Sequence, residues 1–142
     1  MKKFKARTGS PFKEEDAQQV GEAIESIKER EGKLNPELIV KYAKKKDNFL
    51  NKYFEWDDSV ASEKWRLQQA RNITSHVVEV IVIREKEVET RSFFSITNEE
   101  GNNEYVTREE AISVKSYREQ LLDDMEKTME NLLVLIKIFR QQ

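Results

Sequence analysis

Apolar residues recur every three or four positions through most of the first 75 residues, which is the spacing of helices with one buried face. The predicted helices cover residues 11–31, 36–46 and 58–74. Ser10-Pro11 and Asn35-Pro36 each place a capping residue before a proline, a combination typical of helix starts. Gly32 is placed to end the first helix. The N-terminal half is therefore predicted to be a three-helix unit.

The third predicted helix follows a stretch rich in aromatic and acidic residues, YFEWDDSVASEKWRLQQARNI. Asp57, Asp58 and Ser59 offer a helix cap and negative charge at the positive end of the helix dipole. Three aromatic side chains are expected to be buried and to hold this helix against the preceding loop: Phe54, Trp56 and Trp65. The stretch is therefore interpreted as structural first.

Beyond residue 75 the pattern changes from helical spacing to short runs of β-branched and aromatic residues. VVEVIVI (77–83) and SFFSI (92–96) predict two strands, joined by the polar stretch REKEVETR (84–91). NEEGNN (98–103) is typical of a turn, and Tyr105-Val106 predict a short third strand. A small antiparallel sheet follows from this arrangement.

The C-terminal part returns to helical spacing. Thr107 and Glu110 match a capping box, which predicts a short helix through Ile112. A long amphipathic helix is predicted over residues 116–140, with apolar residues spaced by three and four over three heptads. LLVLIKIF (132–139) is apolar around most of its circumference. Either the first helix covers it within a monomer, or a second copy of the chain covers it within an oligomer.

These elements predict an α+β fold in one domain, with an N-terminal three-helix unit, a small antiparallel β-hairpin or sheet and a long C-terminal amphipathic helix. The expected parts are a flexible basic tail (1–10), a helix-turn-helix-like part (11–75), a β-hairpin (76–106) and C-terminal helices (107–142).

The composition indicates the cellular compartment in which the protein acts. The chain has 142 residues and no cysteine, so disulfides and thiolate metal sites are excluded, as suits a reducing compartment. The basic opening MKKFKARTGSPF lacks the apolar core of a signal peptide. No apolar run approaches the roughly 18 residues of a membrane span. We expect a soluble protein of the cytoplasm with no membrane partner.

No motif for catalysis is present. The single histidine, His76, has no second histidine or cysteine for a zinc site and is expected to cap the end of the third helix or to be a satisfied polar group. With four glycines, the chain contains no phosphate-binding loop. Acidic pairs are expected in a chain that is 37% charged. We therefore predict no enzymatic activity, no metal and no cofactor.

Charge is distributed unevenly. Residues 1–52 contain 13 Lys+Arg and 9 Asp+Glu, a balance of +4, whereas residues 53–142 contain 12 and 18, a balance of −6. The simpler interpretation of this basic region is a frayed tail and a solvated helix end, and the more specific one is a binding surface for a polyanion. The candidate nucleic-acid-binding residues are Lys2, Lys3, Lys5, Arg7, Lys44, Lys45, Lys46, Lys64, Arg66, Gln69 and Arg71. On the third helix, such residues suit phosphate and base-edge contacts if the helix enters a groove of DNA.

The central segment also resembles a family of small proteins encoded in bacteriophages and prophages, which share a YFEWDDxxAxxxWRLxQAR core. The matching residues are Leu34, Pro36, Glu37, Tyr53, Phe54, Glu55, Trp56, Asp57, Asp58, Ala61, Trp65, Arg66, Leu67, Gln68, Ala70 and Arg71. Ser62 stands where a second alanine is usual in the family. The resemblance implies a viral protein acting in a host cell and leaves its activity open.

These observations lead to one main hypothesis and two alternatives. The main one is a non-catalytic phage accessory protein that associates with DNA or a nucleoprotein complex in regulation, packaging or replication. The alternatives are a protein-binding adaptor or host-directed inhibitor, and a structural component of the virion. A homo-oligomer formed through the C-terminal helix is compatible with all three.

Overall fold

The computed structural model describes residues 2–141; Met1 and Gln142, the ends of the predicted tail and C-terminal region, lie outside them. The elements in chain order are β1 Phe4–Ala6, α1 Ala17–Glu31, α2 Pro36–Ala43, α3 Glu63–Ser75, β2 Val77–Ile83, β3 Lys86–Arg91, β4 Phe93–Thr97, β5 Asn103–Thr107, α4 Arg108–Ser113 and α5 Lys115–Arg140. Short 3-10 helices precede α1 at Glu14–Asp16 and follow α2 at Phe49–Tyr53. The mixed α+β class, the small antiparallel sheets and the long C-terminal helix are confirmed.

Helices α1 and α2 meet at the turn that the sequence indicated. Gly32 adopts a left-handed φ of 75° and donates its N–H to the carbonyl of Lys28, which ends α1. Asn35 caps α2 by accepting the N–H of Leu38 at 2.8 Å. The predicted start of α1 at Pro11 is wrong, because the Ser10 hydroxyl instead bonds the backbone of Phe12 in a local turn. Helix α2 ends at Ala43, before the predicted 46.

Residues 1–10 were expected to be a flexible tail, but Phe4–Ala6 form strand β1. This strand pairs antiparallel with β2, with Phe4 opposite Glu79. The Phe4 ring is buried against Gly21 in the middle of α1, where no Cβ separates ring and helix. The backbone N–H of Phe4 also donates to the Gln18 side chain at 2.9 Å. Strand β1 is thus part of the folded body, and Phe4 belongs to its core.

Helix α3 begins five residues later than predicted. Ser62, rather than Asp57 to Ser59, caps it by accepting the N–H of Trp65. Asp57 instead accepts hydrogen bonds from the hydroxyl and N–H of Ser59 within the loop, and these bonds lower the pKa of Asp57. The residues that attach α3 to the core are Arg66, Ala70, Ile73 and Thr74.

The strands form two antiparallel sheets. One has the order β1-β2-β3 and the other pairs β4 with β5. The prediction that 84–91 is only a connection is wrong, because Lys86–Arg91 form β3. Strands β2 and β3 are joined by a tight turn in which Arg84 and Glu85 both have positive φ, as a two-residue hairpin turn requires. The predicted strands at 77–83 and near 92–96 are confirmed, and Tyr105-Val106 lie within β5.

The main core lies between α1, α2, α3 and strands β1 and β2. A smaller cluster of Ile96, Val106 and Ala111 lies under the first turns of α5, against Tyr117 and Leu121. Thr107 and Glu110 form the predicted capping box of α4. From Leu122 to Gln141 every side chain of the C-terminal helix is exposed. Most of α5 therefore projects from the folded body.

Candidate functional site

The cationic residues predicted from the sequence do not form one surface. Lys2 is paired with Glu25 and Glu109 at 2.8 and 3.2 Å, and Lys5 with Glu89 at 3.0 Å. Lys2 therefore attaches the residues just before β1 to α1 and α4, and Lys5 attaches β1 to β3. Lys3 and Arg7 are exposed. The basic N-terminus is in part a structural feature of the fold.

Arg66 was predicted to contact nucleic acid, but its side chain is buried, with only 6% of the residue exposed. Its guanidinium donates to the carbonyls of Glu55 and Trp56 at 3.0 and 3.2 Å and is ion-paired with Asp58. It also lies 5.5 Å from the centre of the Trp56 ring. Hydrogen bonding to Asp58 raises the pKa of Arg66. This side chain fastens the loop 55–61 to α3 and does not face solvent for a phosphate contact.

The aromatic residues of the same stretch also differ in burial. Phe54 is buried, and its ring stacks on Trp56 with a centroid distance of 5.3 Å. The indole N–H of Trp56 donates to the carbonyl of Asn51 at 2.9 Å. Trp65 points outward, so the prediction that all three rings are buried is wrong for Trp65.

Because Trp65 is 51% exposed, we expect Trp65→Ala to change the free energy of unfolding by less than about 1 kcal/mol. Trp56→Ala should cost more, since it removes the ring that contacts both Phe54 and Arg66. Urea denaturation of the two variants beside the native chain measures the difference. Equal losses in both variants would show that Trp65 supports the fold after all.

The remaining predicted residues are on the surface but in different places. Lys44, Lys45 and Lys46 are exposed just after α2, and the Lys45 ammonium lies 4.9 Å from the centre of the Tyr42 ring. Lys64 and Arg71 are exposed on α3, whereas the Gln69 side chain accepts the N–H of Glu55.

Helices α2 and α3 are separated by residues 44–62, which include a 3-10 helix. The helix-turn-helix prediction is therefore wrong, since that motif has a turn of about 3–4 residues.

A groove of about 870 Å³ lies between the start of α2, the second half of α3 and the β4–β5 hairpin. Arg71 and Arg91 line it beside Tyr105. Burial raises the pKa of the Tyr105 hydroxyl, while the two arginines oppose this shift. Neither arginine has an ion-pair partner within residues 2–141. The acidic residues on its walls are Glu37, Glu100 and Glu104, so the groove is polar and of mixed charge. Arg91 was not among the predicted residues, because the sequence does not distinguish it from the other charged residues of β3.

The most extended unpartnered surface is on α5. Its exposed apolar residues repeat in heptads, at positions a (Leu122, Met129, Ile136) and d (Met125, Leu132, Phe139). These six side chains are between 44% and 74% exposed. Helix α1 does not cover them, so the packing of the C-terminal helix on the first helix, one of the two predicted arrangements, is not present. We call this row of six residues the α5 seam.

Among residues 2–141 the structure contains neither a cluster of metal-binding side chains nor a helix that could span a membrane. No group of three or more His, Asp or Glu side chains within residues 2–141 is arranged to hold a metal ion. In the same range no helix has the length and apolarity needed to cross a bilayer. His76 ends α3, with Nδ1 2.7 Å from the carbonyl of Asn72, as the capping prediction stated.

Comparison of the chain with protein-family models, with curated protein sequences and with solved structures found no match.

Proposed function

We propose that this protein is a non-catalytic assembly protein that self-associates through α5 and presents its folded body to other components. The observation that supports this proposal is the exposed α5 seam. Leu122, Met125 and Leu132 are each about half exposed on a helix whose first turns alone contact the body. Exposed apolar surfaces of this length are typical of interaction sites, because they are costly to leave in water.

Self-association explains features of α5 that packing within one chain does not. A helix held only at its base has most of its backbone hydrogen bonds open to water, and most helical stability in proteins comes from packing of the apolar face. A coiled-coil partner supplies that packing along the whole seam. Three heptads is near the lower limit for such pairing, so we expect association in the micromolar range.

The resemblance to phage proteins suggests where an assembly protein of this kind would act. We place it in the cytoplasm of an infected host cell, as an adaptor between proteins or as a component of a virion-building complex. In either role a symmetric oligomer would offer two copies of the folded body, with its charged and polar surfaces, to partners. Binding to a host protein as an inhibitor would use the same arrangement.

The test is the mass of the unmodified chain in solution. Sedimentation equilibrium between about 1 and 100 μM should show a mass that rises from 16.8 kDa toward at least twice that value. A chain that stays at 16.8 kDa across this range would contradict the proposal.

Association with DNA or a nucleoprotein complex is a second candidate, and the unpaired arginines of the groove favour it. Arg71 and Arg91 line the groove together with Lys33, and Arg71 belongs to the set predicted from the sequence. The exposed lysines 44–46 could add phosphate contacts elsewhere on the body. The buried Arg66 and the paired Lys2 and Lys5 contribute nothing to this candidate.

If the groove binds nucleic acid, affinity should fall with salt with a log–log slope near −0.9 for each phosphate contact on duplex DNA. Arg71→Gln and Arg91→Gln should each weaken binding, whereas Arg84→Gln at the tip of the β2–β3 hairpin should not. Fluorescence anisotropy with a labelled duplex and a labelled single strand measures this. No binding to either probe at low salt would remove the candidate.

A further inference from the structure

The charged residues of α5 are divided along the helix: its first half is acidic and its second half is basic. Residues 119–130 contain five acidic residues and Lys127, a net charge of −4. Residues 131–140 contain Lys137 and Arg140 and no acid, a net charge of +2. Within α5, Lys127 is paired with Asp123 at 3.0 Å and Lys115 with Glu119 at 3.8 Å. The other three carboxylates of this half, Asp124, Glu126 and Glu130, have no ion-pair partner within residues 2–141.

We infer that two α5 helices pair antiparallel, and this inference rests on the self-association proposed above. One register uses the whole seam: Leu122 lies against Phe139 of the second copy, Met125 against Ile136, and Met129 against Leu132. In this register every a residue meets a d residue of the second copy. All six side chains of each helix are then covered.

Charge complementarity distinguishes this arrangement from a parallel one. In the antiparallel pair, the acidic half of each helix runs beside the basic half of the other. In a parallel pair, the two acidic halves run side by side, about 10 Å apart, where repulsion is only partly screened by salt. Like charges placed together act against a partner arrangement, and opposite charges favour the correct one.

The two arrangements place different residues near Leu122. In the antiparallel register, the strongly exposed Phe139 of the second copy lies beside Leu122, one residue beyond Leu121, the last residue of α5 that packs on the folded body. In a parallel pair, Phe139 of the second copy lies about 26 Å from Leu122, since residues 122 and 139 are separated by 17 residues at 1.5 Å each. The residue within cross-linking reach of Leu122 therefore distinguishes the two arrangements.

Cysteine cross-linking tests the orientation, because the chain has no cysteine of its own. The variants are Leu122→Cys and Phe139→Cys, one of them carrying a tag so that mixed dimers are separated by mass. A disulfide needs Cα atoms within about 4.4–6.8 Å, so only residues facing each other across the seam will form one. A third variant, Val134→Cys, places the thiol on the outer side of the helix as a matched control.

Under mild oxidation, the mixture of Leu122→Cys and Phe139→Cys should give at least tenfold more mixed dimer than either variant gives homodimer alone. Val134→Cys should stay uncrosslinked. Homodimers of Leu122→Cys in yields above the mixed dimer would overturn the antiparallel arrangement in favour of a parallel one. Absence of cross-links in a sample shown to be dimeric would overturn the register.

The sedimentation experiment separates the failure of this inference from the failure of the proposed function. A native chain of dimeric mass whose cysteine variants cross-link in the parallel pattern refutes the orientation and leaves self-association standing. A native chain that is monomeric at 100 μM refutes both.

Discussion

Replacing Phe4 with alanine should lower the free energy of unfolding by about 3–5 kcal/mol, the scale of a buried aromatic side chain. The ring is 4% exposed and packs on α1, so its removal leaves a cavity between β1 and the helix. The loss should appear in urea or thermal denaturation of the full chain. Under the sequence-based expectation of a flexible tail, the same substitution would have almost no effect.

Gly21 provides the control for this prediction. A Cβ at this position would lie 2.3 Å from two carbon atoms of the Phe4 ring, which is too close for a real contact. Gly21→Ala should therefore destabilise the native chain, although alanine favours a helix by about 1 kcal/mol over glycine. In the Phe4→Ala background the same change should be stabilising, because the ring is gone. Identical effects of Gly21→Ala in both backgrounds would refute the packing of β1 on α1.

Replacing Leu132 and Ile136 together with glutamate should abolish self-association while leaving the folded body intact. Both residues belong to the α5 seam, and each buried carboxylate would face apolar side chains of the second copy, where an unpaired charge is strongly disfavoured. We expect the dissociation constant to rise at least a hundredfold, with the variant monomeric at about 100 μM by light scattering.

The matched control for the double variant is Val134→Glu. Val134 is as exposed as Leu132, but it lies on the side of α5 opposite the seam. This variant should keep the native mass, because its carboxylate stays in water within the pair. If Val134→Glu dissociates the protein as fully as Leu132→Glu with Ile136→Glu, the interface lies on another face of the helix.

Elements whose signals are local were predictable from the sequence. The Asn35 cap, the Thr107–Glu110 capping box and the β-branched run of β2 each act within a few residues. Their physics does not depend on what the rest of the chain does. The heptad spacing of α5 was visible for the same reason, and the structure adds only that its apolar residues are exposed.

Features that depend on distant partners were not predictable. Strand β1 forms because residues 4–6 find an edge of β2 more than seventy positions away. Strand β3 is a row of exposed, mostly charged residues, so its sequence lacks the alternation of a half-buried strand. Arg66 has the sequence appearance of a surface cation, but backbone carbonyls of Glu55 and Trp56 accept its hydrogen bonds. Every residue has a backbone carbonyl, so the residue types do not indicate which carbonyls will accept a hydrogen bond from Arg66.

Amide hydrogen exchange along α5 reports whether the exposed seam is paired with a second copy in solution. A helix with no partner beyond Leu121 should exchange its amides quickly over residues 122–139, whereas a paired helix protects them. At about 50 μM, the native chain should show strong protection over 122–139 that is lost in the variant with Leu132→Glu and Ile136→Glu. Protection of the core residues Val20, Ile24 and Ile27 in α1 should be the same in both. Equal exchange over 122–139 in the native chain and the variant would show that α5 does not self-associate through the seam.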